Sequence, residues 1–238
     1  MDTAGKINQM LRRFLSSMKP VTPKVISLTD SKLAEQAAIA AEYLQAGEII
    51  ATPTDTIYGI AALANTTKAI RKLYDIKGRN QSKPISICVA NVEDLELWGQ
   101  VTVPTELLHE LLPGPVTLCF KRKKDLNEEL NPESSIVGIR IPDHPFIREV
   151  CRKTQCPLAL TSANVSQGKS TLAISEFTEL HEFLSCICDG GILGSTDQAR
   201  LGSTVVDLSN PGSYRIIRSG CAEGETTFTL KEFGIVPL

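Results

Sequence analysis

Three cations, Lys77, Arg79 and Lys83, fall within seven residues. That density suits the phosphates of a nucleotide, whose oxygens take short charge-assisted hydrogen bonds from ammonium and guanidinium groups. Two other segments place neutral polar groups just after apolar runs. Pro53-Thr-Asp-Thr-Ile-Tyr-Gly59 offers two hydroxyls and a carboxylate, and Leu160-Thr-Ser-Ala-Asn-Val-Ser166 offers hydroxyls and an amide. Gly202-Ser-Thr-Val-Val-Asp207 and Ile217-Arg-Ser-Gly220 add hydroxyls and one more cation. Loops that follow strands line the ligand-binding edge of α/β sheets, so the five segments together outline a pocket for a small anionic or polar substrate. Taken singly, each also reads as an ordinary turn, and cations at the end of a helix also serve to offset its dipole.

The elements that must position these residues alternate. Asp30 to Gly47 has an N-cap, a run of good helix formers and a terminal glycine. Thr66 caps a helix over 67–76 in which Ile70, Leu73 and Tyr74 share a face. Further helices are expected over 91–98, 104–112, 144–153 and 175–184. Strands are expected over 48–52, 84–90, 116–121, 135–141, 157–161, 185–188, 203–208 and 214–218. This pattern predicts an α/β fold: a single domain with a twisted mixed sheet flanked by helices, and a basic concave cavity where the cations gather. The run Lys121-Arg-Lys-Lys124 reads as a polyanion patch or as a solvated strand end.

Composition bounds the partners. The 238 residues are 42% hydrophobic, with 25 Lys+Arg against 27 Asp+Glu, which excludes a disordered chain and disfavours a protein coated in positive charge for nucleic acid. No apolar stretch of about 18 residues is present, so no membrane span is expected. Most of the seven cysteines sit in apolar surroundings, and they read as free thiols of a reducing compartment. Their spacing with three histidines makes no metal site. The charge is uneven: residues 1–24 carry five cations against Asp2 alone, and taking these away leaves 20 basic against 26 acidic side chains. This basic, acid-poor N-terminus fits a mitochondrial presequence, with a frayed tail as the plainer reading.

Familiar nucleotide signatures fail. Gly168-Lys-Ser170 resembles the end of a P-loop, but Ala163 stands where its first glycine is required. Neither GxGxxG nor a GxSxG elbow occurs.

In their order, however, the segments resemble the YrdC-like domain family, the threonylcarbamoyl-AMP synthases of transfer-RNA modification. The resemblance rests on Pro-Thr-Asp-Thr-Ile-Tyr-Gly (53–59), Lys-Gly-Arg with Lys-Pro (77–84), Leu-Leu-Pro-Gly-Pro-Val-Thr-Leu (111–118), Gly-Ile-Arg-Ile-Pro-Asp-His-Pro (138–145), Thr-Ser-Ala-Asn-Val-Ser (161–166), Ser-Thr-Val-Val-Asp (203–207) and Ile-Ile-Arg-Ser-Gly (216–220). It spans residues 30–222, leaving a basic extension (1–24) and a short C-terminal tail (223–238). It looks closest to the short eukaryotic members. Three positions depart from common family residues: Cys88 stands where some members have histidine, Thr161 where many have proline, and Ser219 where proline is usual.

The resemblance implies an enzyme, a nucleotidyltransferase that makes threonylcarbamoyl-adenylate and diphosphate from L-threonine, bicarbonate and ATP. A downstream transferase complex would pass the product to adenosine 37 of ANN-decoding tRNAs. The family's Lys-x-Arg and Ser-x-Asn signature falls on Lys77, Arg79, Ser162 and Asn164. Threonine is implied at Thr56, Cys88, Arg140, Leu160 and Ser203, and ATP at Arg79, Lys83, Ile136, Ser162, Ser170 and Arg218. Magnesium would ride on ATP, with no dedicated protein metal site. Weak tRNA binding and a cytoplasmic location, with a mitochondrial one in addition, complete the expectation. The chemistry agrees with the residue types: two anionic reactants need cations before they can approach, and an arginine can pair a carboxylate bidentately. The competing reading is a non-catalytic RNA-binding module that uses the same basic cavity. Carbamoyl transfer, as in the hydrogenase-maturation relatives of this domain, would call for zinc-finger and acylphosphatase segments, which are absent from the sequence.

Overall fold

The computed structural model describes residues 20–78, 84–164 and 168–238. Strand β1 (Lys24–Ser27) leads to helix α1 (Leu33–Gln45) and strand β2 (Ile50–Thr52), and the 53–58 loop returns the chain as β3 (Gly59–Leu63). Helix α2 (Thr67–Lys77) precedes β4 (Ser86–Cys88), α3 (Leu95–Trp98), β5 (Gly99–Gln100) and α4 (Thr105–Leu111). Then come β6 (Val116–Arg122), β7 (Ile136–Arg140), α5 (Pro145–Thr154) and β8 (Leu158–Ser162). After a 3-10 stretch (Ile174–Phe183) follow β9 (Cys186–Asp189), β10 (Thr204–Asp207), β11 (Ser213–Arg218), α6 (Glu223–Glu232) and β12 (Val236–Pro237).

The strands form one sheet in the order β1-β9-β2-β3-β8-β4-β7-β6-β10-β11-β12, with β5 added beside β6. It is mixed, as the sequence predicts: β2 runs parallel to β9, while β3 is antiparallel to both β2 and β8. Two-residue periodicity sends neighbouring side chains to opposite faces. Ile87 and Ala159 enter one hydrophobic cluster, and Cys88 and Leu158 enter another. The second cluster is closed by α1 and α5, through Ala37, Ala40 and Leu44 against Phe146, Ile147 and Val150. No helix among the described residues is long and apolar enough to cross a membrane.

Several segments differ from the sequence expectation. Gly59–Leu63 is a strand buried along its whole length, so it lacks the polar alternation that betrays a half-exposed strand. The helix expected over 175–184 is a 3-10 stretch over Ile174–Phe183 with non-helical backbone at Phe177 (φ −136°, ψ 35°). Residues 223–238, read as a short tail, carry α6 and β12 and place Leu230 and Ile235 in the core. At the other end, Lys24 already pairs with Cys186 in the sheet, whereas residues 1–19 of the expected extension lie outside the described residues.

Candidate active site

The segments singled out by chemistry meet where the ends of several strands converge. A cavity of about 120 Å³ is lined by Thr54, Ile57, Tyr58 and Gly59 from the loop after β2, Pro84, Ser86 and Ile87 at β4, Thr117 of β6, Arg140 of β7, Leu160, Thr161 and Ser162 of β8, Ser203, and Arg218 of β11. A larger hollow of about 380 Å³ lies elsewhere, among Val89, Asp94, Trp98, Cys151 and Arg152. None of the residues assigned to chemistry from the sequence lines it.

Lys77 is carried inward by helical periodicity. Ile70, Leu73, Tyr74 and Lys77 follow the i, i+3, i+4, i+7 spacing of one helix face, and all four are buried, Lys77 to 1% exposure. A buried ammonium must find oxygen partners. Lys77 Nζ donates to the Ser162 carbonyl at 2.7 Å, to the Asn164 carbonyl, and to Asn164 Oδ1 at 3.3 Å. Ser162 Oγ also bonds Asn164 Oδ1. The lysine of the first signature and the Ser-x-Asn turn of the second are therefore one hydrogen-bonded unit. Arg79 and Lys83, the other two cations of that cluster, lie outside the described residues.

Across the cavity, Arg140 is buried and paired with Asp55, and its Nη2 also donates to Thr56 Oγ1 at 2.9 Å. Thr54 holds this loop in shape: its hydroxyl accepts the backbone N–H groups of Thr56 and Ile57 and donates to the Ile57 carbonyl at 2.7 Å. Arg218 is exposed as a whole residue, yet its guanidinium reaches among protein atoms to the Ser203 carbonyl at 2.6 Å and hydroxyl at 3.1 Å. That burial, and then the like charge of Arg140, draws its pKa below the ordinary guanidinium range. Ser203 Oγ also shares a proton with Thr117 Oγ1 at 2.9 Å. Burial pushes the Tyr58 hydroxyl up to about 12, so it stays protonated and works as a structural clip, accepting the Gly190 N–H and donating to the Gly191 carbonyl.

Not every expected site residue joins this lining. Thr56 stands just behind it, bonded to Arg140. Cys88 is buried beneath α5 with its Sγ 3.6 Å from Cys151 Sγ, and Ile136 lies at the start of β7, outside the lining. Ser170 is also outside it, and its carbonyl accepts from Arg200 at 2.6 Å. In the 121–124 run, Lys121 and Lys124 are exposed, while Arg122 donates to the carbonyls of Leu126, Asn127, Leu130 and Asn131 and thereby folds the 123–135 loop. Among the described residues, no three His, Cys, Asp or Glu side chains cluster as metal ligands. The sequence offers the Asp55 carboxylate as a grip for substrate, whereas the structure pairs it with Arg140; Ser86 and Thr117 carry no role in the sequence reading. Asp55 and Thr117 lie inside the quoted motifs, whereas Ser86 carries no sequence signal apart from its strand.

A model of the Sua5/YciO/YrdC family, described as "Telomere recombination", matches residues 42–220. The chain belongs to this family. Within it, the chain is 48% identical over 196 residues to a Bos taurus protein named threonylcarbamoyl-AMP synthase, covering 82% of the chain and 71% of the relative. The Homo sapiens protein of the same name is 48% identical over 197 residues, with the same coverage of each. Among solved structures, Pyrococcus abyssi Sua5 complexed with L-threonine superposes with a TM-score of 0.69 at 28% identity, over 79% of this chain and 54% of the Sua5 chain. The chain thus spans about half the length of that Sua5 protein, and the Sua5/YciO/YrdC fold is the frame on which the cavity is built.

Proposed function

We propose that the chain is a threonylcarbamoyl-AMP synthase, joining L-threonine, bicarbonate and ATP into L-threonylcarbamoyladenylate and diphosphate. The observation that carries this reading is the meeting of Arg140 and Arg218 in a hydroxyl-lined cavity on a chain whose mammalian relatives bear that name. The threonine-bound Sua5 structure supports the amino-acid half of the reading, and the product would serve a tRNA threonylcarbamoyl-transferase complex.

The threonine carboxylate pairs with Arg140, which Asp55 and Thr56 hold in one orientation, and Ser203 reads its oxygens. Polar groups buried for one substrate reject analogues that leave them unpaired, so the site favours threonine over a purely apolar amino acid. The deprotonated amine takes up the carbon of bicarbonate, losing water, to give a carbamate. A carbamate oxygen then attacks the α-phosphorus of ATP and the bond to the β,γ-diphosphate breaks. Charge gathers on the leaving diphosphate, and Arg218 together with Arg79 and Lys83 of the Lys-x-Arg and Lys-Pro segments neutralises it. Magnesium enters on the ATP as part of the substrate. Lys77 fixes the Ser162–Asn164 turn that borders the phosphates. No covalent intermediate with the protein is required.

Incubating the purified chain with ATP, L-threonine and bicarbonate and following products by mass spectrometry tests the reading. Adenylate and diphosphate that appear only when all three are present support it. Tight, salt-sensitive RNA binding with no ATP consumption would replace it with the RNA-binding alternative.

A further inference from the structure

Thirteen residues, 190–202, run from the end of β9 to Ser203 with no regular element except a 3-10 turn at Gln198–Leu201. They end against the cavity. Gly202 is left-handed (φ 68°), and a Cβ there would lie 3.5 Å from Ile57 Cδ1 and 3.7 Å from Arg218 Nη2, both cavity-lining residues. Ser203, which follows, holds Arg218 through its carbonyl and hydroxyl. The position of this strap therefore sets the position of the Arg218 guanidinium.

Its first part is held by hydrogen bonds, one of them from Gly191 N to Asp189 Oδ1 at 2.9 Å. Tyr58 Oη clips Gly190 and Gly191, and Leu193 N donates to the Leu172 carbonyl at 2.9 Å. Its last part is held by charge. Arg200 reaches across to Glu176 as a fork, Nη1 to Oε2 at 2.7 Å and Nη2 to Oε1 at 2.8 Å, and Nη1 also donates to the Ser170 carbonyl at 2.6 Å. Glu176 accepts in addition from Leu172 N at 2.9 Å. The segment so gripped backs the lining residues Tyr58 and Ser162: Tyr58 N donates to the Thr171 carbonyl at 2.9 Å, and Thr171 Oγ1 to the Ala163 carbonyl, inside the Ser162–Asn164 turn, at 3.1 Å. Among the described residues this is the one ion pair made by the strap.

We propose that Arg200 is a positioning residue for nucleotide binding, tying the wall that carries Ser203 and Arg218, through Glu176, to the 170–172 segment that backs Tyr58 and the Ser162–Asn164 turn. The inference rests on the functional reading above. The planar guanidinium suits the task, because two parallel bonds fix an angle as well as a distance, which a lysine ammonium does not. Arg200's hydrogen bonds, before any other cause, draw the Glu176 carboxyl down to about 2, so the tie persists across the pH range of a working enzyme. The pair is partly open to solvent, with side-chain exposures of 26% and 34%, and such pairs add little to global stability. Positioning and stability can therefore be separated.

The test compares the native protein with Arg200→Ala, Arg200→Lys and Glu176→Gln. The expected result is a KM for ATP raised by about tenfold in Arg200→Ala and Glu176→Gln, and by about threefold in Arg200→Lys, with kcat, the KM for threonine and the melting temperature little changed. A KM for ATP within twofold of native in Arg200→Ala overturns the proposal, as does a loss of kcat that tracks a lowered melting temperature. Hydrogen exchange of residues 193–203 provides a readout independent of turnover. Added ATP is expected to slow exchange there in the native protein and not in Arg200→Ala. If the native chain makes no adenylate, the functional reading fails while this exchange comparison still decides the strap, and identical ATP protection in native and variant protein overturns it.

Discussion

Lys77 Nζ lies 2.7 Å from the carbonyl oxygen of Ser162, joining residues 85 positions apart in sequence. The lysine is buried, and its charge is spent on the backbone of the turn that carries Asn164. Replacing it with methionine, which keeps the length and the packing against Ile70 and Leu73, leaves the Ser162 and Asn164 carbonyls without their cation. The expected consequence is a fall in turnover of about a hundredfold, the scale of losing one oriented charge in a catalytic site. Diphosphate release in the presence of threonine and bicarbonate checks it, and a rate within threefold of native would remove Lys77 from the machinery.

Arg140 is buried against Asp55, so its removal would strand a carboxylate at a cost of about 3–5 kcal/mol and confuse stability with function. Arg140→Lys keeps the charge and loses the fork. We expect the KM for threonine to rise by about 10- to 100-fold, with the KM for ATP held within about threefold. Equal increases in both constants would show that Arg140 serves the whole cavity and not the amino acid alone.

Much of this arrangement is legible in the sequence, for physical reasons that can be named. α1 and α2 announce themselves by the glycines that end them and by a 3.6-residue apolar spacing, although the N-cap of α1 is Lys32 and not Asp30 and the Thr66 side chain makes no capping bond; the same spacing, extended one turn from Ile70 through Leu73 and Tyr74, points Lys77 inward. The segments around Thr56, Arg140, Ser162, Ser203 and Arg218 are readable because strand-end loops gather at one edge of a sheet. Other features leave no local trace. β3 is buried on both faces, so its Gly-Ile-Ala-Ala-Leu lacks alternation. α6 is disguised by Gly224 and three threonines of low helix propensity, and is made helical by the burial of Thr226 and Leu230 one turn apart. Cys88 was placed in the threonine pocket by resemblance, whereas the pleat brings its sulfur against Cys151. The fork from Arg200 to Glu176 spans 24 positions and depends wholly on tertiary placement.

Gly220 permits a close approach that no other residue allows. A Cβ there would fall 2.2 Å from Thr204 N and 2.3 Å from the Ser203 carbonyl carbon. Both are backbone atoms, so relief requires the chain at Ser203 to move. Gly220→Ala is expected to cost about 1–3 kcal/mol, a drop of several degrees in Tm for a chain of this size, and to reduce activity through displaced Ser203 and Arg218. Thermal melting and turnover measured together check this; an unchanged Tm would mean that the 219–221 backbone yields easily.

His144 occupies the N-cap position of α5, and its Nδ1 is buried without a hydrogen-bond partner among the described residues. Burial lowers its pKa from the ordinary 6.5, against the opposing pull of Asp55 and Asp143. A histidine whose folded pKa lies below its unfolded one binds its proton more readily when unfolded. Its contribution to stability is therefore complete above pH 6.5 and is lost as the pH falls from there through the lowered folded value. The native protein should lose Tm over that interval, and His144→Gln, which cannot titrate, should flatten that part of the profile while leaving the acid loss due to carboxylates at lower pH in place. Melting curves of the two proteins between pH 8 and pH 5 decide the matter: parallel profiles would show that His144 does not carry the acid sensitivity of this interval.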